Sequence, residues 1–225
     1  MPAQPILLLG DPLLWQHSMP VPVPGQQPMG AAMVEMQHAA PSRMRHAAIV
    51  EMQHAAPIRT QRAPTAEIKE AAADEALHQV RRLHTDLRDT LLRFRRKGID
   101  AKAIAAPQIG VLKRVVYVHE PGPSTLLVNP VLKAAGPPVL TWENCLSFPG
   151  LSVKTRRASS CVLTYLDESL TQQSHTVTGD LAVVVQHECD HLDGILCLER
   201  AADAHSFFLS AKGRVPPELK PAHTG

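Results

Sequence analysis

The stretch that decides the fold prediction is Gln186-His187-Glu188-Cys189-Asp190-His191-Leu192-Asp193-Gly194, which contains the pattern His-Glu-x-x-His. Residues four apart share one face of an α-helix, so His187 and His191 can hold one metal ion together. Glu188 lies beside them, where a carboxylate can move a proton to or from water. The bland alternative is two histidines on a packed helix with an unrelated glutamate. The complete pattern favours the metal site, although it supplies only two of the three protein ligands that a catalytic zinc-type site normally has.

The size and composition of the chain exclude few functions. With 225 residues and 44% hydrophobic content, it can form one domain with extensions around an aliphatic core. A net charge of +2 indicates no particular partner. Neither a secretory signal nor an apolar run of transmembrane length is visible, so we expect a cytoplasmic protein with no membrane contact. In that compartment the four cysteines are expected to be one ligand thiol and three buried thiols, without disulfides.

Composition also divides the chain into segments. Val34-Glu-Met-Gln-His-Ala-Ala-Pro41 recurs as Val50-Glu-Met-Gln-His-Ala-Ala-Pro57, which we interpret as a local duplication within a surface insertion. The alternative is a metal-binding or partner-binding element built on His38 and His54. The predicted organisation is an N-terminal segment of the catalytic domain at 1–20, a Pro-rich, duplicated insertion at 21–64, the catalytic domain at 65–203, and a C-terminal tail at 204–225.

Hydrophobic periodicity predicts an α+β fold. Leu77, Val80, Leu83, Leu87, Leu91 and Phe94 recur at helical spacing, which predicts one long helix or two shorter ones ending near Lys97-Gly98. Strands are predicted at 114–118, 125–128, 153–157 and 161–165, with Asn129-Pro130 closing the second. The order of helix, strands and helix predicts a mostly antiparallel sheet packed around a central metal-binding helix that carries His-Glu-x-x-His.

The third metal ligand has several candidates in the sequence. A downstream glutamate, as in gluzincin-type peptidases, would be Glu199 or Glu218. The metzincin extension is absent, because no further histidine follows His191 at the required spacing. An upstream thiolate would be Cys145, in a turn-like segment between strands, and its alternative interpretation is a small buried core residue. The residues themselves leave this choice open.

Three segments together resemble the signature motifs of peptide deformylase. They are Ile104-Ala-Ala-Pro-Gln-Ile-Gly110, Glu143-Asn-Cys-Leu-Ser147, and the opening stretch, in the order and at separations compatible with that family. Gly10-Asp-Pro-Leu-Leu14 and Pro20-Val21 also resemble its N-terminus. The resemblance covers roughly residues 5–20 and 70–203 and skips the duplicated region.

The resemblance implies a metal held by Cys145, His187 and His191, with water in the fourth position. Glu188 would be general base and then acid in removing the formyl group from N-formyl-methionyl nascent peptides, with release of formate. The Gln108 side-chain amide and the Leu146 N–H would stabilise the oxyanion. The family suggests iron(II) in the cell, while zinc, nickel or cobalt also suit this ligand set.

The substrate pocket is expected to be apolar. Val183 and Val184 precede His187 by about one helical turn, and Ala103 and Ile104 approach from the first motif. The chain departs from the family pattern at Ala101-Lys102-Ala103 and at Asn144, where glycines are usual. Arg156 and Arg157 are the candidates for a substrate-orienting arginine.

Two further functions stay open: a catalytically weak, deformylase-like accessory protein that binds metal, and a gluzincin-like metallopeptidase. The basic run of Arg93, Arg95, Arg96 and Lys97 is interpreted as a solvated helix end. Transient association with the ribosome is the alternative role for this run, and specific nucleic-acid binding is not expected.

Overall fold

The computed structural model describes residues 3–24, 66–119 and 123–209, with side chains from residue 70 onward in the first helix. The duplicated segment and nearly all of the predicted insertion lie outside the described residues. The predictions for His38 and His54 lie there too.

A curled antiparallel sheet forms the centre of the fold. Its five consecutive strands pair in chain order, and a sixth strand pairs with the fourth. Two α-helices accompany it in the described ranges. The elements are α1 (Ala66–Arg96), β1 (Ala103–Ala105), β2 (Val115–Val118), β3 (Thr125–Asn144), β4 (Leu151–Leu166), β5 (Gln172–Thr178), α2 (Gly179–Leu192) and β6 (Phe207–Leu209).

The long N-terminal helix α1 covers one face of the sheet. It is a single helix, and its buried stripe of Ala76, Val80, Leu83, Leu87 and Leu91 packs on that face. Spacings of three and four residues place all five side chains on one side of the helix. The predicted helix is therefore confirmed, ending at the turn before Gly98.

Helix α2 packs on the opposite face, and strand alternation assigns each sheet residue to one helix or the other. In β2, Val115 and Tyr117 join the core beside α1, whereas Val116 and Val118 join the core beside α2. Successive side chains of a strand point to opposite faces, so each short apolar strand serves both cores. The sheet therefore separates α1 from the helix that carries the His-Glu-x-x-His stretch.

The two central strands are longer than the sequence indicated. Asn129 was predicted to close a strand, but β3 continues through it, with register shifts on either side of residues 129–130 and again near Gly136. Asn129 adopts a positive φ of 51° and its side chain bonds both backbone groups of Val21. A β-bulge accommodates Asn129 and Pro130 within the strand, so the chain bends without leaving the sheet. Likewise, the predicted strands at 153–157 and 161–165 form the single strand β4.

Strands β1, β5 and β6 were not predicted as strands. The sequence Gln172–Thr178 is polar and mostly exposed, so it carries little hydrophobic signal. Strand β6 pairs with β4 through Phe207, Phe208 and Leu209. The sheet therefore extends beyond residue 203, where the C-terminal tail was predicted to begin. None of the helices in the described ranges is both long and apolar enough to cross a membrane.

The N-terminal segment forms backbone hydrogen bonds with three separate parts of the fold. Leu7 donates its N–H to the Gln108 carbonyl at 2.8 Å, and Leu9 donates to the Ser147 carbonyl at 2.8 Å. Ser18 donates to the carbonyl of Leu192, the last residue of α2, at 2.8 Å. These bonds tie three separate elements to one extended segment.

Leu87→Ala tests the packing of α1 on the sheet. Leu87 is fully buried, so we expect the free energy of unfolding to fall by about 2–5 kcal/mol through lost burial and a residual cavity. Urea denaturation followed by circular dichroism measures it. Arg82→Ala, on the exposed side of the same helix, should change it by less than about 0.5 kcal/mol. Equal effects of the two substitutions would contradict the packing described.

Candidate metal centre and active site

Helix α2 buries the face that carries both histidines. His187 and His191 are 8% and 1% exposed, and their rings lie 5.0 Å apart in an edge-on arrangement. Glu188 is also buried. Burial of three polar side chains on one apolar helix is costly without partners, which marks this face as more than a packing surface.

Cys145 brings a thiol to the two imidazoles from the turn that follows β3. Its Sγ lies 3.2 Å from His191 Nε2. One ligand atom each from Cys145, His187 and His191 lies within 4.8 Å of the others, and all three residues are buried. The structure therefore brings together the three side chains that the family resemblance implied as ligands. Their metal-binding role stays a prediction.

A buried charge network holds His187. Its Nδ1 lies 2.7 Å from Glu143 Oε2. Arg157 donates to both oxygens of Glu143, at 2.6 and 3.0 Å, and to Asp190 at 2.5 Å. The Thr155 hydroxyl also donates to Glu143. Because the Glu143 carboxylate can only accept, His187 Nδ1 must carry the proton of the bond between them, and in the neutral ring Nε2 is then the nitrogen that can bind a metal ion.

The buried charges shift the pKa values of the two histidines in opposite directions. Burial alone would raise the pKa of Glu143, but hydrogen bonds from His187 and Arg157 outweigh it and hold that pKa well below its ordinary value. Burial also opposes protonation of His187, yet bonds with Cys145, Cys197 and Glu143 raise its pKa well above the ordinary value. Burial, helped by the charge of His187, lowers the pKa of His191 far below its usual range. The pocket therefore favours positive charge next to Cys145 and a neutral imidazole at His191.

Glu188 carries a buried carboxylate oxygen, Oε2, that has no hydrogen-bond partner among the described residues. Burial raises the pKa of Glu188 to about 7, opposed by His187 and supported by Glu143. A carboxyl group with that pKa can both accept and donate a proton near neutral pH.

The Gln108 amide points into the same site. Its Oε1 accepts from the Ala105 N–H at 3.0 Å, which turns the Nε2 donor toward Cys145 Sγ at 3.5 Å and Ser147 Oγ at 3.3 Å. Gln108 is 2% exposed, so its orientation is fixed by packing. The Leu146 N–H makes no hydrogen bond to any described residue. Two donors are thus available next to the thiol.

The four predicted pocket residues do not lie together. Ala103 is in the core beside α2, Val184 packs against that core, and Val183 is half-buried on the same helix. Ile104 is fully buried in the core beside α1. Because neighbouring strand residues face opposite sides, the Ile104 side chain cannot line a pocket next to α2, and that prediction is wrong.

The alternative third ligand is also placed elsewhere. Glu199 Oε1 accepts from the Leu196 N–H at 2.9 Å, in the turn that follows α2. It belongs to neither of the groups of ligand atoms that the described residues bring together. The gluzincin-like arrangement is therefore not formed by Glu199, and Glu218 lies outside the described residues.

Of the two arginine candidates for orienting substrate, Arg157 is excluded. It is 5% exposed and held between two carboxylates. Arg156 lies on the exposed side of β4. Arg156 therefore remains a candidate, and its exposure is the only observation that supports it.

A divalent metal ion fits the residues present. One thiol and two imidazoles are a ligand set that iron, zinc, cobalt and nickel accept. A cation bound here would also balance the negative charge that otherwise favours a proton on His187. The unpartnered Glu188 oxygen supplies the acceptor that a water molecule needs beside the ion.

An antiparallel sheet around a buried His-Glu-x-x-His helix, with a thiol beside the imidazoles, points to the class of metal-dependent hydrolases. A family model for polypeptide deformylase matches residues 48–206. The chain therefore belongs to the polypeptide deformylase family. Membership makes it a metal-dependent enzyme that removes the N-formyl group from nascent peptides.

Named relatives agree with the family match. Peptide deformylase 1 of Prochlorococcus marinus (strain MIT 9313) is 42% identical over an alignment 134 residues long, and the match covers 54% of this chain and 67% of that protein. The peptide deformylase of Dictyoglomus thermophilum is 35% identical over 125 residues, covering 56% and 78% of the two chains.

Solved structures agree on the fold. The peptide deformylase of Thermotoga maritima matches with a TM-score of 0.61 at 19% identity, covering 90% of this chain and all of that one. A deformylase from Legionella pneumophila matches with a TM-score of 0.60 at 22% identity, covering 89% and 86%.

Sequence reasoning missed the network that positions His187. Glu143 was noted only as part of a motif, and Asp190 had no assigned role. The sequence did show two residues of opposite charge, Glu143 and Arg157, in segments that form β3 and β4. Their pairing depends on strand register, which the sequence did not give.

Arg157→Ala tests this network. Removing the guanidinium leaves Glu143 buried without its counter-charge, although Arg200 still pairs with Asp190, so we expect the free energy of unfolding to fall by about 3–5 kcal/mol. Arg156→Ala is the matched control on the exposed side of the same strand and should change it by less than about 0.5 kcal/mol. Urea denaturation measures both. A mild effect at Arg157 would show that the charge network contributes little.

Proposed function

We propose that Cys145, His187 and His191 hold the metal ion of this deformylase on helix α2. The observation that carries the proposal is the convergence of one thiol and two imidazoles within 4.8 Å, all buried. Cys145 is set by the end of β3, while the two histidines are set by a helix packed on the sheet. Two of the three ligands therefore lie on a packed helix, and the third directly follows the end of a strand and is buried.

We further propose iron(II) as the ion in the cell. A thiolate with two imidazoles suits iron(II), zinc, nickel and cobalt, and the family resemblance favours iron(II) among them. When bound, the ion supplies Lewis-acid chemistry: it lowers the pKa of water and polarises a carbonyl group.

Glu188 is proposed as the proton carrier. It takes a proton from the water that attacks the formyl carbon, then delivers it to the leaving amine of the peptide. Both transfers need a carboxyl group whose protonated and ionised forms are close in free energy. A pKa of about 7, caused chiefly by burial, meets that requirement.

Gln108 and Leu146 are proposed as the oxyanion donors. The Gln108 carbonyl oxygen is held by Ala105, so its amide donors keep their direction when a substrate enters. The Leu146 N–H makes no bond to another described residue that a substrate would have to replace. Donors that are already oriented stabilise developing negative charge without reorganisation.

The methionine side chain of the substrate is proposed to lie against Ala103, Val183 and Val184. These residues share the α2 side of the sheet, and both valines are half-buried, so part of their surface is available to a ligand. Ile104 has no part in this pocket.

The cellular setting is proposed from the reaction. We propose that the enzyme acts on its nascent-peptide substrates in the cytoplasm, with transient contact at the ribosome. The basic residues at the end of α1, among them the exposed Arg93 and Arg96, are the surface suited to that contact.

Glu188→Gln should separate metal binding from catalysis. The amide keeps the size of the side chain but cannot carry the proton, so we expect formate release from formyl-Met-Ala-Ser to fall about 10²–10⁴-fold. Metal content, measured on the same samples, should be unchanged. Glu168→Gln, on an exposed loop residue, is the control and should keep full activity. Substantial formate release by the fully metallated Glu188 variant would overturn the assignment.

Gln108→Ala tests the oxyanion donor. We expect kcat to fall about 10²–10³-fold with little change in metal content, because the donor acts mainly in the transition state. Gln173→Ala, whose side chain bonds Asp167 away from the site, is the control. A rise in KM with unchanged kcat would instead assign Gln108 to substrate binding.

A further inference from the structure

An ion pair joins the first motif to the start of helix α2. Lys102 Nζ lies 3.2 Å from Asp180 Oδ2, and the two side chains are 35% and 74% exposed. Lys102 directly precedes Ala103 at the start of β1, and Asp180 lies in the first turn of α2. The pair therefore connects the two elements that carry the proposed methionine pocket. We propose that this ion pair forms the charged end of that pocket and limits the length of the side chain that the enzyme accepts.

Helical spacing places Asp180 at the end of a row of residues that starts at the metal centre. Asp180 precedes Val183 and Val184 by three and four residues, and His187 follows the two valines at the same separations. Residues at these separations share one face of a helix. Asp180 lies about 10 Å from His187 along the helix axis, with the valines about halfway between them. A side chain that starts at the metal centre and follows the valines therefore ends at the ion pair.

The backbone of Lys102 is held on the opposite side of the proposed pocket. Its carbonyl oxygen accepts a hydrogen bond from the N–H of His119, the residue after β2, at 2.8 Å. The next residue, Ala103, packs in the core beside α2. Because the Lys102 side chain reaches Asp180, the ion pair spans the space between β1 and the first turn of the helix.

The charges at this end oppose longer apolar side chains. Both charged groups keep contact with water, since each side chain is partly exposed. An apolar group that reached them would displace this water without replacing its hydrogen bonds, which costs free energy. A side chain that ends before the pair avoids that cost and keeps its contact with the valines. This inference rests on the proposed function, because it takes the substrate's methionine to lie against Ala103, Val183 and Val184.

Lys102→Ala combined with Asp180→Ala tests the length limit. The comparison is between formyl-Met-Ala-Ser and an analogue with 2-aminooctanoic acid in place of Met, whose side chain is about two methylene groups longer. We expect kcat/KM for the analogue, relative to formyl-Met-Ala-Ser, to rise about 10-fold over the wild-type ratio, because the added methylene groups can then be buried. The change should lie mainly in KM for the analogue, since this burial acts equally in the ground state and the transition state.

The matched control removes an ion pair from the surface of α1. Arg88 and Asp89 pair at 2.9 Å there, and Arg88→Ala combined with Asp89→Ala should keep the wild-type ratio. An exposed pair contributes little to stability, so both double variants should fold. Circular dichroism and metal content, measured on every sample, verify that each protein is folded and metallated. An equal rise of the ratio in the control overturns the length limit.

Val183→Phe and Val184→Phe separate this inference from the pocket on which it rests. Each should fill the pocket and lower kcat/KM for formyl-Met-Ala-Ser. If the folded, metallated variants both keep the wild-type value, the proposed pocket is overturned. If either variant lowers it while Lys102→Ala with Asp180→Ala keeps the wild-type ratio of the two substrates, the length limit is overturned and the pocket stands.

Discussion

The buried guanidinium of Arg157 is the constraint on which the site geometry depends. It binds Glu143 from β3 and Asp190 from α2, so it fixes the helix against the end of the strand. Glu143 in turn holds His187, and Cys145 follows Glu143 by two residues. Buried ion pairs often add little net stability because desolvation is costly, so the main effect of this one is to specify a single arrangement.

Strand alternation is the second constraint, and it divides the first motif between two cores. Ala101 and Ile104 pack beside α1, while Ala103 and Ala105 pack beside α2. The motif therefore anchors the sheet on one side and approaches the metal centre on the other. Gln108 follows in a 3₁₀ turn, where the bond from Ala105 orients its amide. A short segment thus provides both core packing and the proposed oxyanion donor.

The sequence predicted the features that local periodicity controls. The stripe on α1 and the histidines at i and i+4 on α2 follow from the helical repeat alone. The continuation of β3 past Asn129 could not be found this way, because a bulge lets breaker residues remain in a strand. Strand β5 has no apolar alternation to detect. The face on which Ile104 lies and the pairing of Arg157 with Glu143 depend on register, which local patterns leave undetermined.

Of the residues that replace the family's usual glycines, only Ala103 adds a methyl group on the α2 side of the sheet. Among the described non-glycine residues, only Asn129 and Leu170 have positive φ, so Ala101, Ala103 and Asn144 occupy glycine positions without backbone strain. Asn144 is exposed and accepts a bond from the Ser152 hydroxyl, so its side chain stays outside the core. The Ala101 methyl group lies on the α1 side, away from the metal centre. Ala103 alone adds a methyl group on the α2 side, where the substrate pocket is proposed, so the proposed pocket depends on the space between this methyl group and Val184.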